Sequence, residues 1–380
     1  MQFVDLHTQR ERIKPQLEAA MARVLAHGRY IHGPEVAAFE RQLADFVGVR
    51  HVVGCANGTD ALLIPLMALG IGPGDAVFCP SFTFAATAEV VVLAGAEPVF
   101  VDIEPDSYNL SFASLEGAYQ QVCAEGRLTP KAIIPVDLFG LSADYQAITR
   151  FAQERALAIV EDAAQAIGGS LGNTKCGAFG TVAGTSFYPA KPLGCYGDGG
   201  AILTDDDDLA ETMRSIAFHG KGASQYDNVR IGLNSRLDTL QAAILIEKLA
   251  ILPSETEARQ AVADRYTAGL SDVVRVPTVA AGYRSAWAQY AVESDRRDEI
   301  RAHLGEVGIP SMIYYEKPLH LQTAYAAYGR APGGLAASEA ASRSIMCLPM
   351  HPYLSESDQD RIIAAVREIA DAGLMRRAGS

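Results

Sequence analysis

From about residue 50 to residue 250 the chain repeats one pattern, a short apolar run followed by a stretch with helical spacing. The apolar runs lie at 52–55, 76–79, 98–102, 131–136, 157–161, 182–187 and 201–204. The helical stretches lie near 60–69, 84–93, 112–124, 143–154 and 207–217. Runs this short and this continuously apolar suit strands buried on both faces, with the helices as the crossovers that parallel strands require. The pattern predicts an α/β fold, a mostly parallel central sheet between helices. Helical spacing also covers 8–28 and 34–47, interrupted at Gly28 and at Gly33-Pro34. Residues 218–236, rich in Gly, Asn, Ser and charge, read as a long loop of the kind that often carries function. Residues 237–267 read as helix, with Pro253 expected to break or kink the run. Strands near 273–276 and 287–293 and helices near 296–306 and 357–372 then predict a smaller α+β part. We therefore divide the chain into a large α/β domain with an N-terminal arm, 1–250, and a small C-terminal domain, 251–380.

A formal net charge of −13 with no basic cluster argues against nucleic acid or an anionic membrane as a partner. The six cysteines form no C-x-x-C pair and read as reduced thiols, and the eight histidines show no metal-ligand spacing, so no metal is expected. The amino terminus lacks a signal-peptide pattern and no apolar run approaches the roughly 20 residues of a membrane helix. A cytoplasmic protein is expected. A G-x-G-x-x-G fingerprint is absent, and the glycine cluster Gly194 to Gly200 does not open a helix, which speaks against a nicotinamide dinucleotide site.

Four segments at strand ends carry chemistry. Lys191 lies between the strand-like run ending at Tyr188 and the glycine-rich turn Gly194 to Gly200. A lysine desolvated on such a loop falls below its solvent pKa of about 10.4 and becomes able to form a Schiff base with an aldehyde. Asp162 falls at the carboxyl end of the buried run Leu157 to Val160, where open α/β sheets place ligand-binding groups. Its carboxylate suits the ring nitrogen of a pyridine cofactor, with Gln165 in reach of a ring substituent; the other reading is an N-cap of a following helix. Asn57-Gly58-Thr59-Asp60 opens a helix after a strand, an anion site made of free amides, a hydroxyl and the positive end of a helix dipole. Pro80 to Thr87 opens another helix and offers Phe84 for stacking on a flat ring, or for the core. An aldehyde-trapping amine, a ring-nitrogen carboxylate, a phosphate turn and a stacking ring together make a pyridoxal 5′-phosphate site.

The order and spacing of Gly33-Pro34-Glu35-Val36, Ala56-Asn57-Gly58-Thr59-Asp60-Ala61-Leu62, Glu161-Asp162-Ala163-Ala164-Gln165 and Ser186-Phe187-Tyr188-Pro189-Ala190-Lys191 give the chain a resemblance to a known family. It resembles the DegT/StrS-type sugar aminotransferases of the aspartate-aminotransferase fold (fold type I) over essentially its whole length. Within them it is most similar to the UDP-2-acetamido-2-deoxy-3-oxo-glucuronate aminotransferases of O-antigen biosynthesis, through the Lys191 segment, Asn234 to Leu245 and Leu348 to Leu354. This resemblance implies that Lys191 is the Schiff-base lysine and proton shuttle and that Asp162 pairs with the pyridinium nitrogen. By the same resemblance Gln165 contacts the ring hydroxyl, Phe84 stacks on the ring, and Gly58, Thr59 and Ser186 hold the phosphate together with Asn234 of the neighbouring subunit of a homodimer. It further implies that Arg236, Tyr314 and Tyr315 meet the substrate, and that L-glutamate and a nucleotide-linked keto-sugar are the two partners in transamination. The alternative for Arg236 is a structural ion pair with Asp238 or another acid. Two positions depart from the family pattern: Ala190 where Ser is usual, and Tyr314-Tyr315 where one His is expected. Other readings are transamination of a different sugar, such as a dTDP-3-keto-6-deoxyhexose, and a non-catalytic regulator on the same fold.

Overall fold

The computed structural model describes residues 1–224 and 226–378. Three helices, α1 (Leu6–Arg12), α2 (Lys14–His27) and α3 (Pro34–Val47), precede the first strand. Strand and helix then alternate through β1 (His51–Cys55), α4 (Gly58–Ala68), β2 (Asp75–Pro80), α5 (Ala86–Leu93), β3 (Glu97–Val101), α6 (Phe112–Glu125), β4 (Thr129–Ile133), α7 (Tyr145–Glu154) and β5 (Ala158–Asp162). The short hairpin β6 (Ser170–Leu171) and β7 (Thr174–Lys175) leads to β8 (Val182–Ser186), β9 (Gly200–Thr204) and α8 (Asp207–Ala217). The long helix α9 (Thr239–Leu270) is followed by β10 (Tyr283–Arg284), β11 (Tyr290–Glu293), α10 (Arg297–Glu306), β12 (Gly329–Arg330), α11 (Ala336–Ser344), β13 (Ile345–Leu348) and α12 (Glu356–Ala378).

The central sheet is 8-stranded in the order β1-β9-β8-β5-β4-β2-β3-β12. Only β9 runs against its neighbours, so the sheet is mostly parallel, as the alternation predicts. Because β1, β2, β5 and β8 all run the same way, their carboxyl ends share one edge of the sheet. That edge receives Asn57-Gly58, Ser81, Asp162 and Ser186. The sheet and its covering helices bury a core that includes Val77, Phe78, Phe100, Ile133 and Val160.

Two expectations from the sequence need correction. Residues 273–276 form no strand; only the isolated bridge Arg275↔Glu293 remains. Pro253 does not break α9, which runs unbroken from Thr239 to Leu270. Proline there costs one i→i−4 bond. The hydroxyls of Ser254 and Thr256 donate to the carbonyls of Ile251 (2.8 Å) and Leu252 (2.9 Å), while buried Leu249, Leu252 and Glu255 hold the turn in place. Packing on both sides overrides the local penalty. The C-terminal half of α9 then contributes Val262, Tyr266 and Leu270 to a second core with β11, β13, α10 and α12.

Candidate active site

The β1–α4 turn makes an anion cradle. Asn57 caps α4, its side chain accepting from the amide of Asp60 (2.8 Å). Gly58 and Thr59 occupy the first two helical positions, whose amides have no acceptor within the helix. Ser186, at the end of β8, closes the cradle from the side. A Cβ on Gly58 would sit 2.6 Å from the Ser186 Cβ, so only glycine lets the helix start approach the strand end. Gly58→Ala is accordingly expected to cost about 1–3 kcal/mol of stability, the range for overpacking. Thermal unfolding together with cofactor titration measures this, and cofactor retention should fall along with the midpoint. An unchanged midpoint and affinity would show that the two segments separate freely.

Lys191 hangs in a loop folded back on itself. Its amide donates to the Tyr188 carbonyl (2.9 Å), and the Cys195 amide reaches the Phe187 carbonyl (2.8 Å). A Cβ at Gly194 would lie 2.5 Å from the Pro189 carbonyl oxygen, so this glycine permits the fold-back. Gln241 of α9 grips the loop from behind, exchanging hydrogen bonds with the Tyr196 amide (2.9 Å) and carbonyl (3.2 Å). The Lys191 amine has no hydrogen bond or ion pair among the described residues. Burial lowers its pKa, and the negative charge of Asp162 opposes that shift without cancelling it. A free, partly desolvated amine has what Schiff-base chemistry asks of a nucleophile.

Asp162 is 5% exposed at the end of the central strand β5. No helix follows it, so the N-cap reading is excluded; a turn does, and the Ala164 amide donates to Oδ1 (3.2 Å). The Thr87 hydroxyl donates to Oδ2 (3.0 Å), and lies 3.1 Å from the hydroxyl of Thr83. Burial raises the Asp162 pKa, while the Ala164 and Thr87 bonds and Lys191 pull it back. Gln165 is fixed at both ends: Oε1 accepts from the Phe139 amide (2.8 Å) and Nε2 donates to the Tyr315 hydroxyl (3.2 Å). Tyr315 in turn packs edge-on against Phe82, with ring centroids 5.8 Å apart. Tyr314 adjoins Tyr315 at 5.8 Å between ring centroids. Phe84, by contrast, is 59% exposed.

The Thr87 hydroxyl thus holds Asp162, and the Phe139 amide holds Gln165, which reaches Tyr315; the sequence singled out neither Thr87 nor Phe139. Thr87 lies in the Pro80–Thr87 segment, and a hydroxyl at the first turn of α5 is the signal that was available. The structure also places Asn234 and Arg236 apart from this group. Among the described residues no hydrogen bond, ion pair or ring contact links either to Lys191, Asp162 or Gln165. Ser235 between them is buried, and its hydroxyl accepts from the Ala56 amide behind the phosphate turn (3.1 Å). Asn234 and Arg236, on either side of it, are less buried. Arg236 forms no ion pair with Asp238. Its guanidinium carbon lies 5.4 Å from the centre of the Phe218 ring, over which Lys221 also sits at 4.0 Å. His32 meets the same ring edge-on at 5.1 Å; burial lowers its pKa, and Arg236 and Lys221 lower it further.

Comparison with known proteins settles the class. A profile of the DegT/DnrJ/EryC1/StrS aminotransferase family matches residues 11–367. The chain belongs to that family. It is 47% identical over 369 residues to the UDP-2-acetamido-2-deoxy-3-oxo-D-glucuronate aminotransferase of Pseudomonas aeruginosa, covering 96% of this chain and 99% of the relative. A crystal structure of a DegT DnrJ EryC1 StrS aminotransferase from Brucella abortus superposes with a TM-score of 0.97 at 64% identity, covering 97% of this chain and 99% of that one. DesV of S. venezuelae, solved in complex with a ketimine intermediate, gives a TM-score of 0.91 at 40% identity, covering 97% and 98%. The protein is a nucleotide-sugar aminotransferase that uses pyridoxal phosphate. The residues present fit that cofactor: a free amine, a buried carboxylate with no cation paired to it, a cradle with free amides, and an uncovered aromatic ring.

Proposed function

We propose that this aminotransferase moves the amino group of L-glutamate onto the C3 ketone of UDP-2-acetamido-2-deoxy-3-oxo-D-glucuronate, for a bacterial surface polysaccharide. The observation that carries the reading is the 47% identity, over nearly the full length of both chains, to the P. aeruginosa enzyme of that name. Bound pyridoxal phosphate supplies a carbonyl that carries the amino group and a ring that takes up electron density. Gly58, Thr59 and Ser186 hold its phosphate, Gln165 meets its ring hydroxyl, and Phe84 covers its ring. Asp162 keeps the ring nitrogen protonated. Lys191 would anchor the cofactor and hold the proton that transamination must move. Tyr314 and Tyr315 line the substrate side.

The second half of the site comes from a partner subunit in this proposal. Asn234 and Arg236 make no contact with their own Lys191 site, and among the described residues Arg236 forms no ion pair. A homodimer that inserts this loop next to the partner's cofactor gives Asn234 the phosphate and Arg236 the uronate carboxylate, which a planar guanidinium matches. A cytoplasmic location also belongs to the proposal. It is supported by six free cysteines and by the finding that, among the described residues, no helix is long and apolar enough to cross a membrane.

Assay of UDP- and dTDP-linked keto-sugars with glutamate tests the substrate. Turnover confined to sugars lacking a C6 carboxylate would overturn the uronate reading. Arg236→Ala should weaken the sugar half-reaction by roughly 2–5 kcal/mol, the cost of an unmade charged contact, and Arg236→Lys should rescue it poorly. Mixing Arg236→Ala with Lys191→Ala protein should restore activity, because one site of a mixed dimer carries both defects and the other carries neither. Subunit exchange without recovery would count against a shared site.

A further inference from the structure

Directly behind Asp162 two carboxyl groups lie together with no cation. Asp137, in the loop after β4, and Glu161, in β5, are both 0% exposed. No ion pair reaches either among the described residues. Successive residues of a strand point to opposite faces, so Glu161 is directed away from the cofactor side that Asp162 occupies. Glu161 spreads its two oxygens over three amides, those of Gly177, Phe179 (2.8 Å) and Gly180 (3.1 Å). Asp137 uses one oxygen only: Oδ1 accepts from the Ala143 amide (3.0 Å) and the Tyr145 hydroxyl (2.9 Å). Asp137 Oδ2 is buried and meets no hydrogen-bond donor. Its close neighbour is the Glu161 carboxyl, with the thiol of Cys176 nearby.

Two adjacent buried carboxylates cannot both stay ionised without a cation, and one proton resolves the conflict. The donors decide where it sits. Three amides favour the anion on Glu161, and the orphan oxygen of Asp137 becomes a donor once protonated. A thiol donates weakly and leaves both charges in place. Burial and the neighbouring Glu161 charge push the Asp137 pKa far above the usual carboxylate range, in keeping with this placement.

We propose that Asp137 and Glu161 are a buried carboxyl pair holding one proton, on Asp137 Oδ2, and that this pair positions Asp162 and Gln165 for the cofactor. The connections are short. The Asp137 amide donates to the Asp162 carbonyl (3.0 Å), and the Asp162 amide donates to the Pro135 carbonyl (2.9 Å). The Phe139 amide, two residues from Asp137, holds Gln165 Oε1 (2.8 Å). The pair therefore locks the loop that sets both residues. It also limits the charge behind Asp162 to one unit, where a dianion would oppose ionisation of Asp162 itself. The positioning role rests on the roles proposed above for Asp162 and Gln165; the proton content of the pair does not.

Infrared difference spectroscopy of the holoenzyme tests the proton. Wild type at neutral pH should show the C=O stretch of a protonated carboxyl, shifted by deuteration, and Asp137→Asn should lose it. In Asp137→Asn the amide oxygen keeps Ala143 and Tyr145 while its N–H replaces the O–H toward Glu161. This variant should keep wild-type kcat and the wild-type pH dependence of the cofactor's visible absorbance. Asp137→Ala should shift that pH dependence and lower kcat more than it changes KM. Glu161→Gln, whose amide N–H would confront backbone donors, should retain cofactor poorly. The proposal fails if Asp137→Asn leaves the infrared band intact, or if it is as damaged as Asp137→Ala. Should Glu161→Gln not fold, the band and the Asn–Ala contrast at position 137 decide alone. A lost band with an unmoved absorbance profile in Asp137→Ala would keep the proton and overturn the positioning role.

Discussion

Lys191→Ala should abolish turnover and leave the fold intact. The side chain makes no hydrogen bond or ion pair among the described residues. Its loop is held instead by backbone bonds at Tyr188 and Phe187 and by the Gln241 clamp on Tyr196. Removing a lysine whose pKa burial already lowers takes away a desolvated charge rather than a structural contact. On the role proposed for Lys191, the chemical loss is double. General acid–base work alone contributes roughly 10²–10⁴-fold, and the anchoring nucleophile disappears as well, so a loss beyond about 10⁴-fold in kcat is expected. Cofactor binding should persist without a covalent link, because the Gly58–Thr59 amides, Ser186 and Asp162 are untouched. Thermal unfolding, cofactor content and single-turnover assays separate these outcomes. Sustained multiple turnover by the variant would remove Lys191 from the mechanism.

What the sequence made legible was the part carried by local pattern. The apolar runs mark the strands of the sheet because fully buried parallel strands leave little choice of side chain. Lys191, Asp162 and the Gly58 turn stand out because each needs an unusual residue type at a strand end. Less visible was everything that depends on which side chains meet in space. The Thr87 hydroxyl on Asp162, the Phe139 amide on Gln165 and the Gln165–Tyr315 contact join residues 26 to 150 positions apart, and no periodicity announces them. Pro253 shows the converse. A strong local breaker sits inside α9 because the buried residues on both sides of it pack into two cores. Glu161 read simply as part of a strand, since a buried glutamate is explained only by the 177–180 amides that fold back onto it.

Asp162→Asn should keep the site's shape and lose most of its activity. The amide has a way to fit. Its oxygen keeps the Ala164 amide, and its NH₂ faces Thr87, whose hydroxyl turns to accept and donates to Thr83 instead. On the proposed role, what disappears is the carboxylate charge opposite the ring nitrogen. Losing one preorganised electrostatic partner costs on the order of 10²–10³-fold in kcat, and a loss of that size is expected here. A pH signature accompanies it. Burial raises the Asp162 pKa in the cofactor-free protein, so between its ordinary value and the raised one the folded state binds more protons than the unfolded state. Stability from this group is therefore fully present below the ordinary carboxylate range and is lost as pH rises through the raised pKa. Asp162→Asn has no proton to exchange, and its apoprotein should lack that part of the slope in thermal midpoint against pH. Bound cofactor reverses the preference, because a pyridinium cation favours the ionised carboxylate, so the holoenzyme should lose cofactor as the acid side protonates Asp162. Near-normal turnover in Asp162→Asn, with an unchanged slope in the apoprotein, would reduce Asp162 to a turn residue and leave the ring nitrogen without its counter-charge.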